Sequence, residues 1–319
     1  MTVERSTLLC TDTVAERFAD RIAAAAPDLD VVAIQGDDLV APEDLARVDI
    51  AFFSADSFPA RSQRFMGAAI RAPRLRWLHT FSAGTDHPVF ATLRERGVRL
   101  TSSSGASAGP IARTVVLYLL ALSRDLPRLL ADQAAHRWDP RNFDDVDGRT
   151  IGVVGMGPIG REIIRLAAAL GMRPIGMRRR ILGDEPCETW TIDRLAELAA
   201  AVDVLAVALP LTDDTRGIVS ADVIAGMRPD SVFVNVGRGE LVDEIALTAA
   251  LVGGHVGGAG LDVFATEPLP PDSPLWDLPN VIVTPHSSGQ TASTGWGAAE
   301  IFLDNLGRYV RGETLVNER

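Results

Sequence analysis

Ile151–Gly160, read as IGVVGMGPIG, constrains the fold of this chain more than any other stretch. An apolar run leads directly into Gly155-x-Gly157-x-x-Gly160, and an Ala/Leu/Ile-rich helical pattern then continues to Leu170 and stops at Gly171. The order is strand, tight turn, helix. In that context the glycines divide the work: one allows the turn, one lets a pyrophosphate approach the backbone, and one lets helix and strand pack closely. Pro158 and Ile159 fill the interval before the third glycine, and proline suits a first helical turn because the N–H it lacks has no intrahelical partner there. The exposed N–H groups and helix dipole then face an anion. Gly155, Gly157, Pro158, Ile159 and Gly160 are therefore expected to hold a dinucleotide.

Composition narrows the partners. A chain of 319 residues is comfortable for two domains. Its net charge of -11 argues against nucleic acid and anionic membrane, which both require a basic surface. No apolar run has the length of a membrane span, and MTVERSTLLCTDT lacks the basic-then-apolar layout of a leader, so a soluble cytoplasmic protein with a small-molecule partner is expected. Cys10 and Cys187 are isolated, without the spacing of a zinc site, so no metal is expected. All 31 basic residues are arginine. The absence of lysine rules out a Schiff-base lysine, a pyridoxal-phosphate anchor and a Walker-type P-loop.

Along the chain, short β-branched runs alternate with helical stretches. Ser6–Cys10, Val31–Ile34, Asp49–Phe53, Leu75–Phe81 and Val98–Thr101 read as strands, and so, after the glycine motif, do Arg173–Met177, Val202–Leu209, Ser231–Val236, Gly257–Asp262 and Val281–Thr284. This βαβ alternation predicts an α/β protein of two doubly wound parallel sheets. The serine- and glycine-rich Thr101–Pro110 reads as a hinge, followed by a helix over Ile111–Leu122. The final helix, Ala298–Val310, has no strand after it and is expected to return to the first domain.

One segment, Gly105-Ala106-Ser107-Ala108-Gly109, matches the GxSxG of a serine hydrolase, with Asp262 and His286 later in the order acid then histidine. That reading leaves the glycine fingerprint unexplained, and a hinge explains the segment as well. Three later segments carry more. VNVGRGELVD (234–243), GLDVFATEP (260–268) and VIVTPHSSG (281–289) each begin as a strand and place their polar residues at or just beyond its C-terminal end, the ligand-binding edge of an open parallel sheet. Arg238, Glu267 and His286 can converge there: an arginine fork suits a carboxylate, and a histidine backed by a glutamate suits proton transfer.

With these segments in hand the chain resembles the D-isomer-specific 2-hydroxyacid dehydrogenases over essentially its whole length. The resemblance rests on GMGPIG (155–160), LPLTDDTRGIV (209–219), NVGRGELVD (235–243), GLDVFATEPLP (260–270) and SPLWDLPNVIVTPH (273–286). It implies a flavodoxin-like substrate domain from residues 1–102 with 288–319, a Rossmann cofactor domain from 103–287, a cleft between them, and a homodimer built partly on the helix after the hinge. It implies that Arg238 holds the substrate carboxylate and polarises the 2-keto group, that His286 moves the proton, and that Glu267 supports His286. Ser82-Ala83-Gly84 matches the turn that binds the substrate carboxylate through its backbone, and Asp262 matches an aspartate near the nicotinamide carboxamide. Pro210, Thr215, Val236 and Gly289 fall at matching cofactor positions.

The sequence departs from the family pattern twice. Where NAD-preferring relatives carry an aspartate for the ribose hydroxyls, this chain has Arg178-Arg179-Arg180. Arginines would pair with a 2'-phosphate that an acid would repel, so NADP(H) is expected over NAD(H), and reduction of a 2-keto acid such as glyoxylate or hydroxypyruvate as the working direction. Arg113 stands where relatives usually carry a glutamate, with no physical account. The family also includes corepressor-like scaffolds, which usually have longer disordered tails than this chain. His79, His87, His136 and His255 read as surface or structural, Trp276 and Trp296 as core, and Trp138 by default as packing.

Overall fold

The computed structural model describes residues 5–36, 38–85, 87–291 and 294–318; the first four residues, read above as part of the N-terminal segment, lie outside them. The chain forms two compact units, one running up to Ser107 and resuming at Thr291, the other Ala108–Gln290.

The first unit contains five strands, β1 (Thr7–Thr11), β2 (Asp30–Ile34), β3 (Ile50–Phe53), β4 (Trp77–Thr80) and β5 (Arg99–Ser102), all parallel in the order β2-β1-β3-β4-β5. That is the flavodoxin-like order. Strands covered on both faces are buried along their whole length, and β1, β3 and β4 are. One face packs on the helices Ser62–Arg71 and Pro88–Glu95 through Phe65, Ala69 and Leu93. The other receives the last helix, Thr294–Val310, whose Phe302 stacks on Phe52 at 4.3 Å. Trp296 of this helix, expected in the core, is 37 % exposed under the Arg17 guanidinium.

A polar line links β4 to β5, at one edge of this sheet. Trp77 Nε1 can only donate, and it donates to Thr101 Oγ1 at 2.8 Å. Ser103 Oγ gives its proton to Thr80 O (2.9 Å), so it accepts His79 Nε2–H (2.9 Å), and the bare Nδ1 of the neutral ring receives the Thr101 hydroxyl (2.7 Å). The network assigns the tautomer. His79 is buried, and burial pushes its pKa down to about 3 from 6.5. The unfolded chain then takes up a proton between these two values that the folded chain refuses, so the stability contributed by neutral His79 is present above pH 6.5 and is lost as pH falls below it. In urea titrations, the fall in unfolding free energy between pH 7 and pH 5 should exceed that of His79→Gln, by up to about 1.4 kcal/mol per pH unit. Equal falls in the two proteins would contradict it.

The second unit holds β6 (Thr150–Val154), β7 (Arg173–Arg178), β8 (Glu188–Thr191), β9 (Val204–Val207), β10 (Ser231–Asn235), β11 (Val256–Leu261) and β12 (Val281–Val283), parallel in the order β12-β11-β10-β9-β6-β7-β8. The sequence reading anticipates six of them. The seventh, β8, is four residues of ETWT at the sheet edge, too polar to announce itself. The chain winds outward from β6 through β7 to β8, then returns to β9 on the other side of β6, so the topological switch lies between β6 and β9. Helix Pro158–Ala169 follows β6, and helix Ala108–Ser123 packs beside it. Trp276, also expected in the core, is 49 % exposed and donates to Pro270 O. Trp138, expected to pack, is 94 % exposed. Among the described residues, no helix is long and apolar enough to cross a membrane.

Candidate active site

The glycine turn lies at the C-terminal end of β6. Gly155 has φ +108, and a Cβ there would lie 2.7 Å from Ala208 O. At Gly160 a Cβ would lie 1.8 Å from Gly155 O, so the helix can pack on the turn only without one. Gly157, which caps the helix, is different: a Cβ would meet nothing within 4 Å. Its missing side chain leaves open space at a helix N-terminus. A pyrophosphate fits there.

Two neighbouring strand ends flank this turn. After β9, Thr215 Oγ1 donates to Pro210 O (2.8 Å) and accepts from Thr212 N–H (2.8 Å), so Pro210 and Thr215 belong to one closed loop. At the end of β7, Arg178 already has an acidic partner in the protein: its Nη1 lies 2.9 Å from Glu185 Oε1. Glu185 also accepts the N–H groups of Leu182 and Gly183, each at 2.7 Å, and these bonds together with Arg178 hold its carboxyl down at about 2. Arg179 is far more open, with 73 % of its side chain exposed and one partner, Asp214 at 3.1 Å, which is 75 % exposed. Nothing in the sequence marked Glu185. It is one acid among several in a polar loop.

On the other side of the switch, β10, β11 and β12 align in register, Asn235 beside Leu261 beside Val283. The residues that follow each strand therefore emerge side by side. Asn235 shapes the first exit: its Oδ1 accepts Gly237 N–H (3.0 Å) and its Nδ2 donates to Arg238 O (2.9 Å). Gly239 then passes so close to the next loop that a Cβ would lie 1.8 Å from the Phe264 carbonyl carbon. This contact explains the second glycine of NVGRGE, while a Cβ on the first, Gly237, would lie 2.8 Å from Leu209 O; it also carries Arg238 to the loop that bears Glu267. Arg238 Nη1 donates to Gly237 O at 2.8 Å. Val236, on the same exit, is buried.

Glu267 Oε1 accepts Phe264 N–H (3.1 Å), leaving Oε2 for His286 Nδ1 at 2.7 Å. A carboxylate only accepts, so Nδ1 carries the proton and Nε2 is left for other chemistry. His286 is 47 % exposed and sits at φ +50, with its backbone N–H on Asp262 O (2.9 Å). Asp262 itself is 1 % exposed and accepts from Thr284 Oγ1 (2.6 Å), Ser287 N–H (2.9 Å), Ser288 N–H and Ser288 Oγ. It offers a support for the loop of residues 284–289, the segment that includes His286 and Gly289.

In the first unit, the Ser82-Ala83-Gly84 turn follows β4. Ser82 Oγ donates to Gly84 O (2.7 Å) and Ser82 O accepts Ser103 N–H (3.0 Å), which draws the turn tight with Ala83 and Gly84 half-exposed. The hydrolase reading finds no support in this unit. In a nucleophile elbow the serine occupies the strained position, but here the left-handed residue is Gly105 (φ +102), and Ser107 only precedes the helix. Among the described residues His87 accepts Val89 N–H, and no three His, Cys, Asp or Glu side chains group as a metal site.

The family model described as D-isomer specific 2-hydroxyacid dehydrogenase, NAD binding domain, matches residues 116–288. A glyoxylate/hydroxypyruvate reductase B from Pectobacterium carotovorum is 38 % identical over 253 residues, covering 77 % of this chain and 79 % of that protein. A D-isomer specific 2-hydroxyacid dehydrogenase family protein from Aeromonas salmonicida superposes with a TM-score of 0.82 at 30 % identity, covering 99 % of both chains. An NADPH-dependent glyoxylate/hydroxypyruvate reductase from Sinorhizobium meliloti, solved with NADP and sulfate, gives 0.77 at 28 % identity, covering 99 % of this chain and 98 % of that one. This chain belongs to the D-isomer specific 2-hydroxyacid dehydrogenases. It is an oxidoreductase with a Rossmann unit for a nicotinamide cofactor.

The open space at Gly157 yields a test. Gly157→Ala should leave the thermal midpoint unchanged and raise the cofactor KM roughly tenfold or more, as loss of about 1.4 kcal/mol of binding requires. Gly160→Ala should instead lower the midpoint. Identical behaviour of the two variants in cofactor titration and thermal unfolding would remove the distinction between seat and packing contact.

Proposed function

We propose that this chain catalyses the NADPH-dependent reduction of a small 2-keto acid, of glyoxylate or hydroxypyruvate size, to the D-2-hydroxy acid. The observation that carries this reading is the His286–Glu267 pair, which lies at the same sheet edge as the Arg238 loop and the glycine cradle. The names of the relatives support the substrate class. In this reading Arg238 binds the carboxylate and polarises the keto oxygen. His286 gives a proton to that oxygen from Nε2, while Glu267 holds Nδ1–H and stabilises the imidazolium. The nicotinamide, when bound, supplies the hydride. The Ser82-Ala83-Gly84 turn receives the substrate carboxylate, so that residues 1–102 with 288–319 form the substrate domain and 103–287 the cofactor domain.

The preference for NADPH rests on Arg179 more than on Arg178. Arg179 is exposed, and its exposed pairing with Asp214 is of a kind worth ~0–1 kcal/mol, so a 2'-phosphate can displace it at little cost. Arg178, braced by Glu185, offers its remaining guanidinium donors. The absence of an acid at this position removes what would repel the phosphate. A homodimer is supported by the apolar side chains left exposed along helix Ala108–Ser123, the next helix Leu126–Ala134 and the segment after it, among them Leu117, Leu130 and Trp138.

Following NADPH oxidation against a panel of 2-keto acids tests the reading. Turnover of glyoxylate or hydroxypyruvate is expected, with His286→Ala lowering kcat by roughly 10²–10⁴-fold and Ser107→Ala leaving it unchanged. Arg179→Ala should lower kcat/KM with NADPH by roughly 10–100-fold, the loss of one charge-assisted hydrogen bond, while NADH values stay level. Equal or better efficiency with NADH in the wild type would overturn the cofactor preference. Survival of turnover in His286→Ala would overturn the catalytic assignment.

A further inference from the structure

The Asp262–Thr284 support beneath the His286 loop continues into a buried hydrogen-bonded line that reaches Tyr118. Tyr118, on helix Ala108–Ser123, is completely buried, and its ring lies against Gly260 of β11, where a Cβ would be 2.4 Å from the ring. Only a glycine admits the ring there. The Tyr118 hydroxyl reaches Thr284 Oγ1, and Thr284 Oγ1 lies 2.6 Å from Asp262 Oδ1. The directions follow from the acceptor at the end. The Asp262 carboxylate receives Ser287 N–H, Ser288 N–H and Ser288 O–H as well, so Thr284 must give it a proton, and Tyr118 must then give its own to Thr284. Asp262 ties down the residues on both sides of His286 by its side chain and His286 itself by its carbonyl. His286 holds a left-handed backbone at φ +50, which a residue other than glycine keeps only when its surroundings impose it.

We infer that Tyr118 and Thr284 are positioning residues for His286. The line Tyr118–Thr284–Asp262 sets the turn on which the imidazole stands and thereby aims Nε2. The inference rests on the reading of His286 as the proton donor. Neither residue touches the reacting atoms, so their loss should lower kcat and leave KM for NADPH largely in place. Charge-assisted bonds to a buried carboxylate carry the effect, and Thr284 supplies the one made by a side chain on Oδ1.

The test compares Thr284→Val, Thr284→Ser, Tyr118→Phe and the Tyr118→Phe/Thr284→Val double variant in the full chain with NADPH and the best keto acid, alongside thermal unfolding. Thr284→Val should lower kcat about tenfold with KM for NADPH nearly unchanged, because a small misplacement of a proton donor costs that order of rate. Thr284→Ser, which keeps the hydroxyl, should restore most of it. Tyr118→Phe keeps the packing and should lower kcat a few-fold, and the double variant should be no worse than Thr284→Val because both changes break one line. Wild-type kcat in Thr284→Val, equal losses in Val and Ser, or losses that multiply in the double variant overturn the inference. A wild-type kcat in Tyr118→Phe removes Tyr118 from the line. Full turnover in His286→Ala sinks the underlying reading instead, whereas a dead His286→Ala beside a fully active Thr284→Val sinks only this one.

Discussion

The ladder that sets β10, β11 and β12 in parallel register governs everything at the candidate site. Parallel pairing sends every strand C-terminus to one edge, and the row Asn235, Leu261, Val283 ends the three strands at one level. A register slip of one residue would turn each side chain to the other face of the sheet. Arg238, Glu267 and His286 are separated by 29 and 19 positions in sequence, so no local propensity can bring them together; the ladder does so by giving each its own adjacent strand.

Close backbone approach supplies the next layer of order. Gly155, Gly160, Gly239 and Gly260 all sit where a Cβ would overlap a neighbour, yet they serve different contacts: a turn against Ala208, a helix on that turn, one catalytic-edge loop on another, and a strand on the Tyr118 ring. Gly157, in the same motif as Gly155 and Gly160, faces open space instead. The same residue type therefore marks packing at four positions and open space at a helix N-terminus at the fifth. Spacing alone does not separate these uses, because it records where side chains are missing and says nothing of what occupies the gap.

Much of the fold was legible for a physical reason. Buried parallel strands are continuous apolar runs, and those of β1, β3, β6 and β9 read directly. β8 escaped because an edge strand needs no apolar run, and ETWT shows none. Trp276 and Trp296 were misplaced by size alone: each has an outlet that periodicity does not show, an indole N–H on Pro270 O in one case and a guanidinium stacked on the ring in the other. At the site, residue type and strand-end position were enough to nominate Arg238, Glu267 and His286. The supporting residues were not legible. Asn235, Thr284 and Tyr118 are ordinary residues of a strand, a loop and a helix, and their roles exist only once the hydrogen bonds are formed.

The absence of lysine gives the chain's electrostatics a particular character. Every cation is a planar fork, and the fork is used repeatedly to clamp a carboxylate with two bonds, as in Arg21 with Glu300, Arg99 with Glu318 and Arg165 with Glu162. With 42 acids against 31 arginines, carboxylates outnumber the guanidiniums that can pair with them. An arginine that is to meet an anionic ligand must therefore be kept from permanent capture. Arg178 and Arg179 show the two outcomes side by side. The first is held by Glu185, an acid whose side chain is 6 % exposed and which is fixed by two backbone N–H groups; the second meets Asp214, exposed and screened by water. Adjacent in sequence and identical in chemistry, the two arginines differ in how firmly the fold holds the acid opposite. That difference makes Arg179 the more available cation at this strand end.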